Sequence, residues 1–87
     1  MTYAIEYEPA ALRQLRKLPW EAQDRVLATI KRLSSDPRPS GTKKIVGRKD
    51  SWRVRAGDYR IIYEIRDLAL VVLVVRVAHR AEVYRHR

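Results

Sequence analysis

The sequence predicts an α+β domain in which a two-helix hairpin packs on one face of an antiparallel-rich sheet. Three observations carry that expectation. Residues 9–33 hold two apolar stripes at helical spacing, and residues 52–77 change to the alternation or continuous apolar run that marks strands. A serine- and proline-rich stretch separates the two patterns. Helices and strands segregated along a chain build a sheet with its helices on one face. The expected order is β-α-α-β-β-β, with residues 1–87 forming a single domain around one core.

Each element has a local reason. Tyr3-Ala4-Ile5-Glu6-Tyr7 alternates and reads as a short strand. Pro9 suits the first turn of a helix, where its missing N–H has no partner to lose. Leu12, Leu15 and Leu18 follow at spacing three as one stripe, and Pro19 closes that helix. Trp20 opens a second helix whose Val26, Leu27, Ile30 and Leu33 share a face, with Arg25, Lys31 and Arg32 opposite. Ser34 to Gly41 reads as a loop. Trp52-Arg53-Val54-Arg55-Ala56 and Tyr59 to Ile65 then alternate as strands, and Lys43 to Val46 adds to the first of them. The run from Leu70 to Val77 is almost wholly apolar and reads as a central strand covered on both faces.

Composition narrows the function classes. With 46% hydrophobic residues the chain has enough apolar surface for a compact core, which argues against intrinsic disorder. It has no cysteine, so neither a disulfide framework nor a thiolate metal site is available. Its longest apolar run, Leu68 to Val75, falls far short of the ~20 residues that span a bilayer. The opening Met1-Thr2-Tyr3-Ala4-Ile5-Glu6 has no apolar targeting core, and a cytoplasmic, membrane-free protein is expected. Nineteen Lys and Arg against ten Asp and Glu give a net charge of +9. Most of that charge is arginine, which forks onto phosphate and stacks on bases. A polyanionic partner follows: RNA, DNA or an acidic protein.

The turn at Gly57-Asp58 sharpens this. Read as a two-residue type II′ turn, it pairs Ala56 with Tyr59, Arg55 with Arg60, Val54 with Ile61 and Arg53 with Ile62. Arg53, Arg55 and Arg60 then share one face, and Trp52, Val54, Ile61 and Tyr63 form the core face. Like charges directly opposed destabilise a sheet, so the cluster is understood if it meets an anion. From the end of the last strand onward, Arg76, Arg80 and Arg85 accompany Tyr84, pairing charge for phosphate with a ring for a base.

These segments resemble the RelE/ParE toxin superfamily over essentially the whole chain. The resemblance rests on Trp52-Arg53-Val54-Arg55-Ala56-Gly57-Asp58-Tyr59-Arg60-Ile61-Ile62-Tyr63 together with His79-Arg80-Ala81-Glu82-Val83-Tyr84. It implies a RelE-like fold, a RelB-like antitoxin whose acidic segment wraps the toxin, and, in the RelE branch, cleavage of messenger RNA in the ribosomal A site. It matches Arg53, Arg55, Arg60, Arg80 and Tyr84 to that branch's catalytic set. Arg53 and Arg55, with Arg76 and Arg85, are the expected RNA contacts. The chemistry implied is attack of the substrate's own 2′-hydroxyl on the adjacent phosphate, leaving a cyclic phosphate. No cofactor and no metal is implied, and His79 and His86 are the only histidines. RelE enzymes carry lysines where this chain has Arg53 and Arg55, and a guanidinium does not readily take a proton. Glu82 and His79 are the candidate proton acceptors. Two rival readings share the basic surface: a ParE-like toxin that poisons DNA gyrase, and an RNA-binding module without turnover.

One prediction needs only the charge. Neutralising three to five single-strand phosphates gives RNA binding a log–log salt slope on the order of −2 to −4, measurable by titration at several salt concentrations.

Overall fold

Packing begins at α2, Trp20–Ser35, where Val26, Ile30 and Leu33 recur at helical spacing and are all buried. α1, Pro9–Arg16, contributes Ala11 and Leu15. Both helices face one side of a five-stranded sheet in this computed structural model, which describes residues 2–81. The strands are β1 Ala4–Tyr7, β2 Lys43–Lys44, β3 Ser51–Ala56, β4 Tyr59–Arg66 and β5 Val71–His79, in the order β1-β5-β4-β3-β2. β1 runs parallel to β5, and the other pairings are antiparallel. The expected α+β class and the antiparallel-rich sheet are both present, with β2 as an additional strand.

The helix-side face carries Val54 and Ala56 of β3, Ile61, Tyr63 and Ile65 of β4, and Val72, Val74 and Val77 of β5. Burying each large aliphatic chain contributes about 1.5–3 kcal/mol, so this face is the main source of stability. The opposite face bears Arg53 and Arg55, Arg60 and Ile62, and Arg76 and Ala78. Val71, Leu73 and Val75 are only half-buried, so β5 is covered fully on one face and not on both. An extra residue in β5 shifts its register against β4 between Ile62 and Tyr63. Past the end of β1, the Val77 N–H has no strand partner and donates instead to Gln14 Oε1 of α1, at 2.8 Å.

Three further details depart from the sequence expectation. Leu27 is 41% exposed, because a neighbour of Val26 lies about 100° round the helix from the 26-30-33 stripe. α2 continues through Ser34 and Ser35 rather than ending before them. There the Ser34 Oγ donates to the Tyr3 carbonyl and the Ser34 carbonyl accepts the Tyr3 N–H, each at 2.8 Å. The helix stops at Asp36, ahead of Pro37, where a following proline disfavours the helical backbone. Finally, Lys43–Lys44 is a separate strand antiparallel to β3, with Lys43 beside Arg53 and Lys44 beside Trp52.

The α2–β2 loop is tied to the sheet at two points. The buried Tyr63 hydroxyl donates to the Pro37 carbonyl at 2.7 Å and receives a hydrogen bond from Thr42 Oγ1 at 3.1 Å. Arg38 forks onto Asp67 at 3.3 and 2.9 Å, and the Tyr3 hydroxyl donates to the same carboxylate at 2.6 Å. The guanidinium of Arg38 also lies 5.1 Å from the Trp52 ring centroid. Hydrogen bonding from Arg38 holds the Asp67 carboxyl below its ordinary range, and hydrogen bonding to Asp67 pushes the Tyr3 phenol up. Burial raises the Tyr63 phenol.

A raised phenol stabilises the fold below its unfolded value near ~10 and loses that contribution as pH rises through the folded value. The wild-type unfolding free energy therefore falls above about pH 10, and Tyr63→Phe shows less of that fall. Near neutrality Tyr63→Phe lowers the unfolding free energy by about 1–3 kcal/mol, because the Pro37 carbonyl loses its buried donor. Urea titration at both pH values measures each effect.

Candidate functional site

The β3–β4 turn decides which side chains meet. Gly57 has φ +62° and Asp58 is not among the residues at positive φ, as a type II′ turn requires. The pairing is the one the sequence implied: Ala56 with Tyr59, Arg55 with Arg60, Val54 with Ile61 and Arg53 with Ile62. Two guanidinium-bearing residues thus stand directly opposite each other on the face the helices leave open. Arg25 of α2 reaches over the turn, where a Cβ on Gly57 would stand 2.6 Å from its Nη1.

Arg53, Arg55 and Arg60 line one cleft of about 230 Å³, together with Gly41, Lys43 and Val54. Within it the arginines differ. Arg53 and Arg55 are exposed, whereas Arg60 is buried, with 7% of its surface accessible. Its Nη1 is buried and has no hydrogen-bond partner. A buried cation left unpaired is costly, and native structures keep such groups where a ligand completes them. The ion pairs among the described residues are Arg38–Asp67 and Arg66–Glu64, and neither involves a cleft arginine. The cleft is therefore a concentration of positive charge with no counter-ion among the described residues, which suits a phosphate diester.

The other candidates fall into different places. Arg76 stands opposite Ile62 on the same open face but does not line the cleft. Arg80 is exposed, and its main-chain N–H donates to the Asp58 carbonyl at 2.8 Å, which tethers it at the turn beside the Arg55–Arg60 pair. Its side chain is not part of the cleft lining. His79 is turned away. It pairs with Tyr59 on the helix-side face, packs edge-on against that ring at 5.4 Å, and accepts the Ala81 N–H on Nδ1 at 3.2 Å. The alternation that brings Arg60 to the open face sends His79 to the other, which removes it as the proton acceptor of this cleft. Tyr84, Arg85 and Glu82 lie outside the described residues.

Sequence reading did not assign Lys43 to the site. The signal was present in the alternation, since Lys43 and Lys44 must face opposite ways once β2 pairs with β3. Lys43 joins the arginines, and Lys44 Nζ lies 5.7 Å from the Trp52 ring centroid on the other side. Among the described residues no group of three His, Cys, Asp or Glu side chains is placed to hold a metal. No helix among them is long and apolar enough to cross a membrane.

A helix pair on one face of a small mixed sheet, with an arginine-lined cleft on the other, belongs here to a toxin of a type II toxin–antitoxin system, as the family match and the named relatives show. The family model of the ParE toxin of type II toxin–antitoxin systems matches residues 5–84, and the chain belongs to that family. Its individual relatives carry names from the RelE branch. Toxin RelG of Mycobacterium tuberculosis is 33% identical over 90 residues, covering 98% of this chain and 99% of RelG. The mRNA interferase toxin RelE of Escherichia coli is 28% identical, covering 97% of this chain and 92% of RelE. Among solved structures, the archaeal RelE–RelB complex of Pyrococcus horikoshii superposes with a TM-score of 0.81 at 28% identity, covering 92% of this chain and 97% of that one.

Arg60 makes a prediction that separates stability from function. Arg60→Met removes the buried unpaired cation and raises the unfolding free energy of the isolated domain by about 1–2 kcal/mol. Sulfate stabilises the wild type more than this variant, because only the wild type offers the anion a completed site. Urea unfolding with and without sulfate checks both.

Proposed function

We propose that this toxin is a ribosome-dependent messenger RNA endoribonuclease. The observation that carries the reading is the buried Arg60, whose Nη1 has no hydrogen-bond partner, lining a cleft shared with Arg53 and Arg55. Support comes from the names of the relatives, two of which are called mRNA interferase RelE. The substrate's 2′-hydroxyl attacks the neighbouring phosphorus, and the pentacoordinate phosphate that forms carries extra negative charge. Arg60, held in a low-dielectric pocket, and the opposed Arg55 stabilise that charge more strongly than the ground-state diester. Arg53 and Arg76 hold flanking phosphates, and Arg80 adds charge from the turn. Tyr84 stacks on a base and Arg85 contacts the backbone in the same reading. The ribosome supplies the positioning of the message, which is worth several kcal/mol in reactions of this kind.

The partner in this reading is a RelB-like antitoxin, in keeping with the solved toxin–antitoxin complexes of similar chains from Pyrococcus horikoshii, Mycobacterium tuberculosis and Escherichia coli. An acidic antitoxin segment neutralises the cleft and blocks it. The site of action is the cytoplasm, where messages are translated.

Induction in bacteria tests the proposal, with wild type beside Arg60→Ala/Arg80→Ala and message 5′ ends mapped within minutes. The expected result is codon-phased cutting in translated messages by the wild type alone, with at least ~100-fold less by the double variant. Growth arrest with intact messages would reject the nuclease and point to a ParE-like, gyrase-directed toxin. No toxicity would favour a silent binding module.

A further inference from the structure

Three arginines and a lysine line the cleft, and only one of the four carries a proton it can surrender. A guanidinium holds its protons throughout the accessible pH range, whereas an ammonium exchanges one. The remaining lining residues, Gly41 and Val54, have no exchangeable side-chain proton, and among the described residues no carboxylate, histidine or hydroxyl lines the cleft. Cleavage by the 2′-hydroxyl nevertheless has to protonate the departing 5′-oxygen, which is a poor leaving group as an alkoxide. The arginines answer the charge on phosphorus but not this requirement.

We infer that Lys43 is the general acid of the cleft, donating the proton from Nζ to the leaving 5′-oxygen of the RNA. The inference rests on the ribonuclease reading above. The geometry supports it in three ways. Lys43 pairs directly with Arg53, and so shares the face of Arg53 and Arg55. It lines the same cleft as the buried Arg60. It lies two strand spacings, about 10 Å, and two residues, about 7 Å, from Arg60, so two long side chains can reach one phosphodiester from opposite ends. A lysine on the edge strand β2 thereby does work that the paired strand β3, which carries arginines, cannot do.

The step balances. The 2′-oxygen bonds to phosphorus as its proton passes to water, and the P–O5′ bond breaks with its electron pair moving to O5′. That oxygen takes the proton from Lys43 Nζ and leaves as a hydroxyl. The products are a 2′,3′-cyclic phosphate and a 5′-hydroxyl end, and Lys43 is reprotonated from water. Lys44, one residue on, faces Trp52 and takes no part.

The test compares two messages on programmed ribosomes, one all-oxygen and one with a single 5′-bridging sulfur at the A-site linkage. A thiolate leaves without being protonated, so the sulfur message no longer needs the acid. Lys43→Arg keeps the charge and length but not the transferable proton. It is expected to cut the all-oxygen message at least ~100-fold more slowly than wild type and the sulfur message within a few-fold of it. Lys44→Arg should cut both like wild type, and Arg60→Ala should fail on both. Equal loss by Lys43→Arg on both messages would overturn the inference, leaving Lys43 as a phosphate contact, and so would wild-type rates on both. A wild-type protein that cuts neither message would instead overturn the ribonuclease reading itself.

Discussion

Two arginines directly opposed across a hairpin repel each other, and this fold holds them there. The Gly57-Asp58 turn sets the register of β3 against β4, and a one-residue change would scatter the arginines between the two faces. Arg60 stands between Arg55 on β3 and the small Ala78 on β5 and is buried, so it cannot swing out to water as a surface arginine does. The helix-side face, with its buried aliphatic chains and Tyr63, supplies the stability that keeps the open face in this unfavourable state. In the proposed function, binding of a phosphate relieves the repulsion and gives the buried Arg60 Nη1 a hydrogen-bond partner at once. Discrimination in favour of a more highly charged transition state follows from the same arrangement.

The rest of the molecule positions the cleft's rim. The loop from Asp36 to Thr42 delivers Gly41 and Lys43, and it is fastened at Tyr63, which binds both Pro37 and Thr42. Arg38 extends the fastening to the far end of β4 through Asp67, with the Trp52 ring beneath it. Arg38 thus contrasts with Arg60. It is exposed and fully paired, and so belongs to the architecture. Arg60 is buried with its Nη1 unpartnered, and the proposed function makes it part of the site. Charge alone would not separate them.

Much of the hairpin was legible in the sequence because a two-residue turn leaves no freedom in register. The helical stripes at Val26, Ile30 and Leu33 were legible for a similar reason, since an amphipathic period needs no tertiary knowledge. Leu27 was misjudged because an apolar residue adjacent to a stripe resembles a member of it. The extension of α2 through Ser34 depends on Tyr3, a partner 31 residues away that local pattern does not reveal. β2 was merged with the strand before Trp52 because two lysines carry no strand signal of their own, and with it the place of Lys43 in the cleft was lost. The burial of Arg60, as against the exposure of Arg53 and Arg55, depends on the neighbouring strand β5, which the hairpin alone does not contain.

NMR of the arginine side chains tests most directly whether Arg60 binds the phosphate of RNA. A short single-stranded RNA carrying 2′-O-methyl groups, and so unable to cleave itself, would be titrated into the wild-type protein while the Nε–Hε signals are followed. The Arg60 and Arg55 signals are expected to shift and become protected from exchange, while Arg38, already bound to Asp67, stays where it is. Saturable RNA binding with the Arg60 signal unmoved would contradict this expectation.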